Sequence, residues 1–313
     1  RAYKSGGFVN NAAAYTTFVG SPYGPRPGRT TGRIDFHPGT DWNLDLAHPA
    51  ASRSDIDYIL GHVNKLLQDE LTHEDVVGVY AGLRPLLFGE SDSTSTLSRE
   101  HAVSSPVRGL TVVAGGKYTT YRVMAKDAVD SAVHGLEQKV PKSCTERIQL
   151  VGADGYFAAH NNRHLTAERT GLHVSTIEHL LGRYGTLADE LFELVEARPE
   201  LGQPLDSAPE YLKAEIHYAA SHEGAQHLDD ILTRRTRISI EVTDRGDAAA
   251  AEVAELVAPV LGWTPEHIAE EIEHYRLRVA AERESQEQPD DLTADAARLG
   301  APDVRTGVTV GQV

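Results

Sequence analysis

A turn that contains two glycines is the part of this chain best suited to chemistry. The apolar run 109–114 before it predicts a strand, and the residues after it predict a helix through about Leu136. A helix begins with unpartnered backbone N–H groups and partial positive charge, so this arrangement can hold an anion or an electron-rich ring oxygen. An ordinary strand-to-helix turn capped by a threonine is the alternative that the motif leaves open. The glycines that allow close backbone approach and the side-chain donors beside them are Gly115, Gly116, Lys117, Thr119, Thr120 and Arg122.

Two arginines upstream extend the chemistry of this turn. Arg84 ends a short valine-rich run, 75–84, that predicts a strand, and Arg99 lies in a polar, turn-rich segment, 89–108. Guanidinium groups match phosphate oxygens in a bidentate geometry. Convergence of Arg84 and Arg99 with Lys117 would therefore hold an anionic substrate, whereas two ordinary surface arginines are the other interpretation.

Other residue patterns are less informative. His217, His222 and His227 recur at five-residue spacing, which spreads them around a helix and argues against a shared metal site. Cys144 is the only cysteine, which excludes an intrachain disulfide and favours a passive thiol over a reactive one. The basic patch 234–237 favours a solvated or interdomain salt-bridged surface over ligand binding. No Gly-x-Ser-x-Gly, Walker or Gly-x-Gly-x-x-Gly motif is present, so the sequence lacks a complete dinucleotide-binding unit.

Composition limits the class of protein. The 313 residues predict one large or two ordinary domains. With 30 basic and 46 acidic side chains the net charge is −16, which argues against a nucleic-acid partner. No apolar run approaches the roughly 20 residues that a membrane-spanning helix needs, although peripheral membrane contact stays open. A single cysteine favours a reducing compartment.

Changes in composition and periodicity along the chain predict four segments. Residues 1–38 carry five basic residues and one acidic residue and are rich in glycine and proline, which predicts an irregular segment. Residues 39–140 mix predicted strands with helices, the first of which has Ser54 as its expected N-cap. Residues 141–283 are the third segment. It begins with a linker at 141–155, and its remaining residues show helical periodicity that predicts a small bundle. The polar segment 284–313 lacks periodicity and predicts disorder.

Several ordered blocks resemble one enzyme family, the FAD-dependent, quinone-linked glycerol-3-phosphate dehydrogenases. The resemblance covers about residues 39–283 and is specific because the blocks occur in order and at suitable separations. Three blocks match the oxidoreductase part, and three resemble the family's C-terminal helical domain: 77–87, 97–101 and 115–125, then 211–219, 230–237 and 261–263.

The resemblance implies a fold and a reaction. The fold would be α+β: part of an FAD-binding and substrate domain with an antiparallel sheet, followed by an all-α C-terminal domain. The reaction would be the oxidation of sn-glycerol 3-phosphate to dihydroxyacetone phosphate by FAD, with electrons passed to a quinone. The implied setting is the cytoplasm, on the inner face of the cell membrane, and the electron acceptor and oligomeric state stay open.

The resemblance also implies roles for individual residues. Arg84 and Arg99 match arginines near the substrate, and Lys117 matches the lysine beside the flavin. Positive charge and backbone donors at the turn would stabilise the reduced, anionic flavin. The residues implied to face the flavin are Gly115, Gly116, Lys117, Thr119 and Thr120.

The N-terminal part of the family has no counterpart in this sequence. The expected strand, glycine fingerprint and acidic ribose-binding residue are missing. The chain starts at Arg1 and its only methionine is Met124, which predicts a fragment, a processed chain or an incomplete gene product. Two further hypotheses therefore stand beside the dehydrogenase: a catalytically silent relic with only a packing or partner-binding role, and another FAD-linked amine or hydroxy-acid oxidase.

Overall fold

The computed structural model describes residues 9–15, 39–41, 44, 45, 47–86 and 100–302, with the backbone alone for 9–15, 39–41 and 83–86. These residues divide into two compact units. The first contains the described residues within 1–13, 39–43 and 83–154, and the second those within 14–38, 44–82 and 155–313. The described strands and α-helices are β1 (Val9–Tyr15), β2 (Gly39–Asp41), α1 (Arg53–Val63), β3 (Tyr80–Leu86), β4 (His101–Val107), β5 (Leu110–Gly115), α2 (Tyr121–Val133), α3 (Tyr156–Asn161), α4 (Arg163–Thr170), α5 (Val174–Tyr184), α6 (Ala188–Ala197), α7 (Lys213–Ser221), α8 (Ile238–Glu241), α9 (Ala250–Leu261), α10 (Pro265–Glu287) and α11 (Asp291–Arg298).

An antiparallel hairpin and one helix form most of the described first unit. In the hairpin β4 pairs with β5, from His101 opposite Gly115 to Val107 opposite Leu110, and α2 packs against both strands. The other described sheet has the strand order β2–β1–β3, with β1 and β2 antiparallel. The antiparallel sheet that the resemblance implied is thus confirmed.

The first unit has no buried side chain between residues 100 and 154, all of which the structure describes. Several large apolar side chains of the hairpin and of α2 are instead exposed to solvent. Because removal of apolar surface from water is the main driving force of folding, these elements gain little of it from one another. The exposed apolar side chains include Val107, Leu110, Val112, Val113, Tyr118, Tyr121, Val123 and Val129.

The second unit, in contrast, has well-formed cores between its helices. The apolar side chains of α5 recur at positions i, i+3, i+4 and i+7, so they form one face, which packs against α6 and α7. A second cluster joins α7, α9 and α10, and a third lies between α1 and Val79. The predicted helical C-terminal region is therefore confirmed.

The C-terminal end is more ordered than the sequence predicted. Disorder was expected from residue 284, but α10 continues to Glu287 and α11 packs against it. The prediction was wrong for 284–298 because α11 is short and strongly amphipathic, which makes its signal local rather than periodic over a long window. Residues 303–313 lie outside the described part of the chain. None of the described helices is both long and apolar enough to cross a membrane.

Three smaller differences concern the N-terminal half. Residues 9–15 form a strand inside the segment that was expected to be irregular. The run 75–84 does not form one strand, because a 3-10 turn occupies His73–Asp75 and β3 begins only at Tyr80. Residues 44–82 belong to the compact unit of the helices, whereas the sequence analysis placed 39–140 in one domain.

Glu215, on α7, places a fully buried carboxylate beside α5. Its Oε1 accepts hydrogen bonds from His179 Nε2 at 3.0 Å and from the Tyr184 hydroxyl at 3.3 Å. Its Oε2 accepts a bond of 2.9 Å from the backbone N–H of Leu212, and Arg183 Nε lies 3.5 Å from Oε1. Both carboxylate oxygens are therefore satisfied, and the start of α7 is fixed against α5.

Replacement of Glu215 by glutamine should strongly destabilise the second unit. The change removes the charge opposite Arg183 and turns an amide NH₂ toward one of the buried donors, and breaking a buried pair of this kind costs about 3–5 kcal/mol. Urea unfolding followed by circular dichroism measures the loss. Glu178→Gln is the matched control, because that exposed carboxylate pairs with Arg163 at 2.6 Å and its loss should cost at most about 1 kcal/mol. Equal losses in the two variants would contradict the role of Glu215.

The N-terminus of α1 carries a second buried carboxylate, Asp55. One oxygen, Oδ2, accepts bonds of 3.0 Å from both the backbone N–H and the hydroxyl of Ser52. This capping box makes Ser52 the N-cap, so the prediction of Ser54 was wrong. Burial raises the pKa of the Asp55 carboxyl, the bond from the Ser52 backbone opposes that rise, and the charge of Asp291 adds to it.

Asp55→Asn should flatten the pH dependence of stability. An aspartate with a raised folded-state pKa favours folding less and less as the pH rises above its unfolded-state pKa of about 3.9, because the folded state must then ionise a buried group. Asparagine keeps an oxygen for both Ser52 bonds and does not ionise. The free energy of unfolding of the variant should therefore rise relative to wild type between acidic and neutral pH. Asp69→Asn, at an exposed site, controls for the lost charge; parallel profiles for wild type and Asp55→Asn would refute the expectation.

Candidate functional site

The glycine turn joins β5 to α2 within the first unit. β5 ends at Gly115, a 3-10 turn follows at Tyr118–Thr120, and α2 begins at Tyr121. Gly115 and Gly116 have φ angles of 74° and 88°, a region that residues with a Cβ rarely adopt. The strand, glycine turn and helix start therefore occur in the order that the sequence predicted.

Gly116 also leaves little room for a side chain. A Cβ atom at this position would lie 2.5 Å from Met124 Sδ and 3.1 Å from His101 Cβ. The backbone of the turn thus lies directly against a side chain of α2 and one of β4. The close approach of backbone that the sequence analysis assigned to the two glycines is present, and it is directed partly toward the protein itself.

Thr120 holds the turn together from within. Its hydroxyl donates to the carbonyl of Lys117 at 3.0 Å, and its backbone N–H reaches the same carbonyl at 3.0 Å. The hydroxyl oxygen also accepts a bond of 3.4 Å from the Lys117 N–H. Because these contacts use the hydroxyl proton, Thr120 shapes the turn instead of offering a side-chain donor to a ligand.

The outer surface of the turn is open. Lys117 and Thr119 are exposed, and Tyr118 is 91% exposed. The Tyr118 ring stacks on Tyr121, with the ring centres 6.0 Å apart. The first N–H groups of a helical turn precede its internal hydrogen bonds, so this surface combines backbone donors, an ammonium group and an aromatic ring.

Arg122, which the sequence analysis counted among the donors of the turn, faces another partner. Its guanidinium donates to the backbone carbonyl of Thr145 and, at 3.1 Å, to the Thr145 hydroxyl. It also lies 5.5 Å from the centre of the Tyr121 ring. Arg122 therefore fixes the short 3-10 turn at Thr145–Arg147 against the first turn of α2.

The structure adds a supporting pair that sequence reasoning missed. His101 Nε2 lies 2.8 Å from Asp127 Oδ2, which links the start of β4 to the middle of α2. The two residues are 26 positions apart, so no spacing rule could have paired them. His101 also supplies the Cβ that closes the space beside Gly116. His101 therefore supports the turn through its contacts with α2 and with the space beside Gly116.

The candidate residues fall into two groups. The structure brings together the cluster formed by Gly115, Gly116, Lys117, Thr119 and Thr120. Arg84 lies in β3, where the backbone alone is described, and Arg99 lies outside the described residues. Convergence of the two arginines on Lys117 thus stays a prediction.

Fold and site together define an α+β chain in which an antiparallel hairpin and a glycine turn precede an all-helical domain. Residues 143–268 match the family model described as the C-terminal domain of alpha-glycerophosphate oxidase. The sequence is 57% identical over 269 residues to glycerol-3-phosphate dehydrogenase of Mycobacterium leprae, which covers 86% of this chain and 46% of that protein. It is 30% identical over 249 residues to a mitochondrial glycerol-3-phosphate dehydrogenase of Arabidopsis thaliana, covering 75% of this chain and 39% of that protein.

A solved structure shows the same fold. The glycerol-3-phosphate dehydrogenase of Bacillus halodurans, solved in complex with FAD, superposes with a TM-score of 0.62 at 23% identity, over 87% of this chain and 56% of that one. The chain therefore belongs to the glycerol-3-phosphate dehydrogenase family, of which it matches the C-terminal portion. It spans about half the length of the curated relatives it matches.

Gly116→Ala should disturb the turn more than Gly109→Ala. Both glycines have φ angles above 80°, so each substitution strains the backbone by about 1–2 kcal/mol. Only at 116 would the new methyl group collide with other atoms, and overpacking adds about 1 kcal/mol or more. Hydrogen–deuterium exchange of the first α2 amides reports the difference, which should be faster in Gly116→Ala. Equal exchange in both variants would show that Met124 moves aside without loss.

Proposed function

We propose that this chain forms the substrate side and C-terminal domain of an FAD-dependent glycerol-3-phosphate dehydrogenase. The reaction is the oxidation of sn-glycerol 3-phosphate to dihydroxyacetone phosphate, with electrons passed to a quinone at the cytoplasmic face of the membrane. The observation that carries the proposal is the 57% identity over 269 residues to glycerol-3-phosphate dehydrogenases. That aligned length is 86% of the chain.

The glycine turn fits one edge of a flavin ring system. Gly115 and Gly116 present backbone without side chains, and the exposed Lys117 adds positive charge beside the helix start. Ring carbonyls and nitrogens of a flavin are acceptors that match backbone N–H groups. The exposed ring of Tyr118 offers an apolar, planar neighbour. The donor set at the turn therefore suits an electron-rich planar group better than a metal ion.

Each residue of the turn has a role in this proposal. Gly115, Gly116 and Lys117 would hold the ring end of FAD, which would supply the redox chemistry for oxidation of the substrate at C2. The Lys117 ammonium and the helix start keep positive charge where negative charge develops, which lowers the barrier electrostatically. Thr120 holds the turn in shape through its bonds to the Lys117 backbone. Arg84 and Arg99 bind the phosphate end of the substrate through bidentate hydrogen bonds.

The site is half of what the reaction requires. The Mycobacterium leprae relative is covered over only 46% of its length. The described hairpin and α2 bury no side chain, and their exposed valines and tyrosines form apolar surface that a completed domain would cover. Both facts support a site whose adenosine and pyrophosphate contacts come from sequence outside this chain.

A catalytically silent chain that only packs or binds a partner is the second candidate. The well-formed cores of the second unit favour it, because that unit can be stable whether or not the first unit binds a cofactor. The two candidates differ in the coding sequence upstream of Arg1. A reading frame that encodes a strand and a Gly-x-Gly-x-x-Gly motif supports the enzyme, and a stop codon or unrelated sequence supports the silent chain.

The chain alone should have no dehydrogenase activity. Because the sequence has no Gly-x-Gly-x-x-Gly motif for the adenosine half of FAD, we expect the purified chain to show no flavin absorbance near 450 nm after incubation with FAD and desalting. It should not reduce a dye with glycerol 3-phosphate. A yellow sample that turns over glycerol 3-phosphate would overturn this expectation.

Joined to the N-terminal half of a relative, the chain should become active and depend on Arg84. Arg84→Ala should raise the Michaelis constant for glycerol 3-phosphate by about tenfold or more, since a charged hydrogen bond contributes about 1.5–3 kcal/mol. Lys117→Met should lower kcat more than it raises the Michaelis constant. Arg108→Ala, in the exposed β4–β5 turn, is the control and should change neither. An unchanged Michaelis constant in Arg84→Ala would count against the assigned substrate.

A further inference from the structure

A half-open cleft in the second unit is lined by four arginines. Its volume is about 430 Å³, which lies within the range of small-molecule pockets. One wall is apolar and includes Ala50, Ala51 and Val79 from the segments beside α1 and β3. The rest of the lining includes residues of α8, of α10, of α11 and of the segment before α8. The cleft is named the arginine cleft after these residues, which are Arg234, Arg237, Arg278 and Arg298.

Arg298, the last residue of α11, is the most deeply placed of the four. It is only 5% exposed, and its guanidinium makes no hydrogen bond or ion pair with any residue that the structure describes. Burial lowers the pKa of this guanidinium, the charge of Arg278 lowers it further, and the carboxylates of Glu282, Asp229 and Asp45 oppose that shift. A buried charge without a contacting counter-ion costs free energy. An anion in the cleft would offset that cost.

Arg237 supplies a second guanidinium group of the cleft without a contacting carboxylate among the described residues. Its backbone N–H donates to the Tyr211 hydroxyl at 3.2 Å, which fixes the main chain. Its guanidinium is exposed and has no partner among the described residues. Two residues further on, the Ser239 hydroxyl is buried in the wall of the cleft and likewise lacks a hydrogen-bond partner there.

The other two arginines are held in position by contacting carboxylates, and one of these, Asp230, lies 3.3 Å from Arg234. Asp229 forms an ion pair with Arg234 and another, at 2.8 Å, with Arg278. Glu282 also lines the cleft, and its Oε1 lies 3.3 Å from Arg245 Nη1. The contacting carboxylates therefore serve Arg234, Arg278 and Arg245. Among the described residues of the cleft, Arg237 and Arg298 are the two arginines whose guanidinium groups have no carboxylate in direct contact, and the charges of Glu282, Asp229 and Asp45 act on Arg298 without such a contact.

We propose that the arginine cleft binds a phosphate-type anion, either free phosphate or the phosphate ester of a small metabolite. Guanidinium forks pair with phosphate oxygens bidentately, and several arginines around one small space match the several oxygens of that anion. The apolar wall at Ala50 and Val79 would contact the carbon part of an ester. All residues of the cleft lie in the second unit, so the proposal stands apart from the role of the glycine turn in the first unit.

Calorimetric titration of the 313-residue chain with inorganic phosphate and with glycerol 3-phosphate tests the proposal, at an ionic strength held constant with chloride. We expect saturable binding at one site in wild type. Arg237→Gln should weaken that binding by about tenfold, the loss of one charge-assisted hydrogen bond. Because the Arg237 side chain has no partner to lose among the described residues, the variant should fold normally, which thermal unfolding checks. Tighter binding of the ester than of phosphate would identify an ester site, and equal binding a phosphate site.

Two control variants distinguish this cleft from a general effect of charge and from the glycine turn. Arg276→Gln removes an equal charge from α10, but Arg276 pairs with Asp247 at 3.0 Å and does not line the cleft. Lys117→Gln removes the ammonium of the glycine turn. Both should bind phosphate as wild type does. Absence of saturable binding in wild type, equal weakening in Arg237→Gln and Arg276→Gln, or loss of binding in Lys117→Gln would each overturn the proposal. Failure of the dehydrogenase assignment would leave the phosphate titration unchanged.

Discussion

The backbone of the candidate site packs at Gly116 against Met124 and His101, where a Cβ atom would lie 2.5 Å from Met124 Sδ and 3.1 Å from His101 Cβ. This contact lets the start of the helical turn lie close to β4, because the His101 side leaves little room for a side chain at residue 116. The His101–Asp127 pair fixes the same helix to β4 from the other side. The glycine thus has two effects at once: it permits the positive φ angle, and it lets the helix approach.

The two units differ in what stabilises them. In the second unit, apolar faces of successive helices bury one another, and even a fully buried carboxylate, Glu215, has a partner for each oxygen. In the described hairpin and α2, ion pairs and turn contacts hold the elements, and no side chain is buried. Since apolar burial supplies most of the free energy of folding, the first unit gains from any surface that covers its exposed valines. In the proposed enzyme, a segment that completes this unit would therefore stabilise the elements that carry the glycine turn.

Sequence periodicity was enough to predict the helical half of the fold. The spacing of Ile177, Leu180 and Leu181 predicts the buried face of α5 because a helix repeats about every 3.6 residues. The glycine turn was also predictable, since its strand, glycines and helix start are adjacent in sequence. Pairs of residues that are distant in sequence were not predictable, because neither the His101–Asp127 pair nor the Glu215 contacts leave a local signal in the sequence. The N-cap at Ser52 was missed because the deciding contact, the bond to Asp55, depends on a choice between two nearby serines.

The arginine cleft shows why net charge is a weak guide to binding. A chain with a net charge of −16 argues against a polyanionic partner, and the patch 234–237 was therefore expected to be solvated or salt-bridged. That expectation describes both Arg234, which pairs with Asp229, and Arg237, whose guanidinium is exposed, but it gave no sign that the two residues line a cleft. Folding brings Arg298 to the same cleft from a helix that was expected to be disordered. A small anion responds to the charges within a few ångströms of it, because more distant carboxylates are screened at physiological ionic strength. An acidic protein can therefore present a site for an anion wherever its fold brings together more guanidinium groups than carboxylates that pair with them.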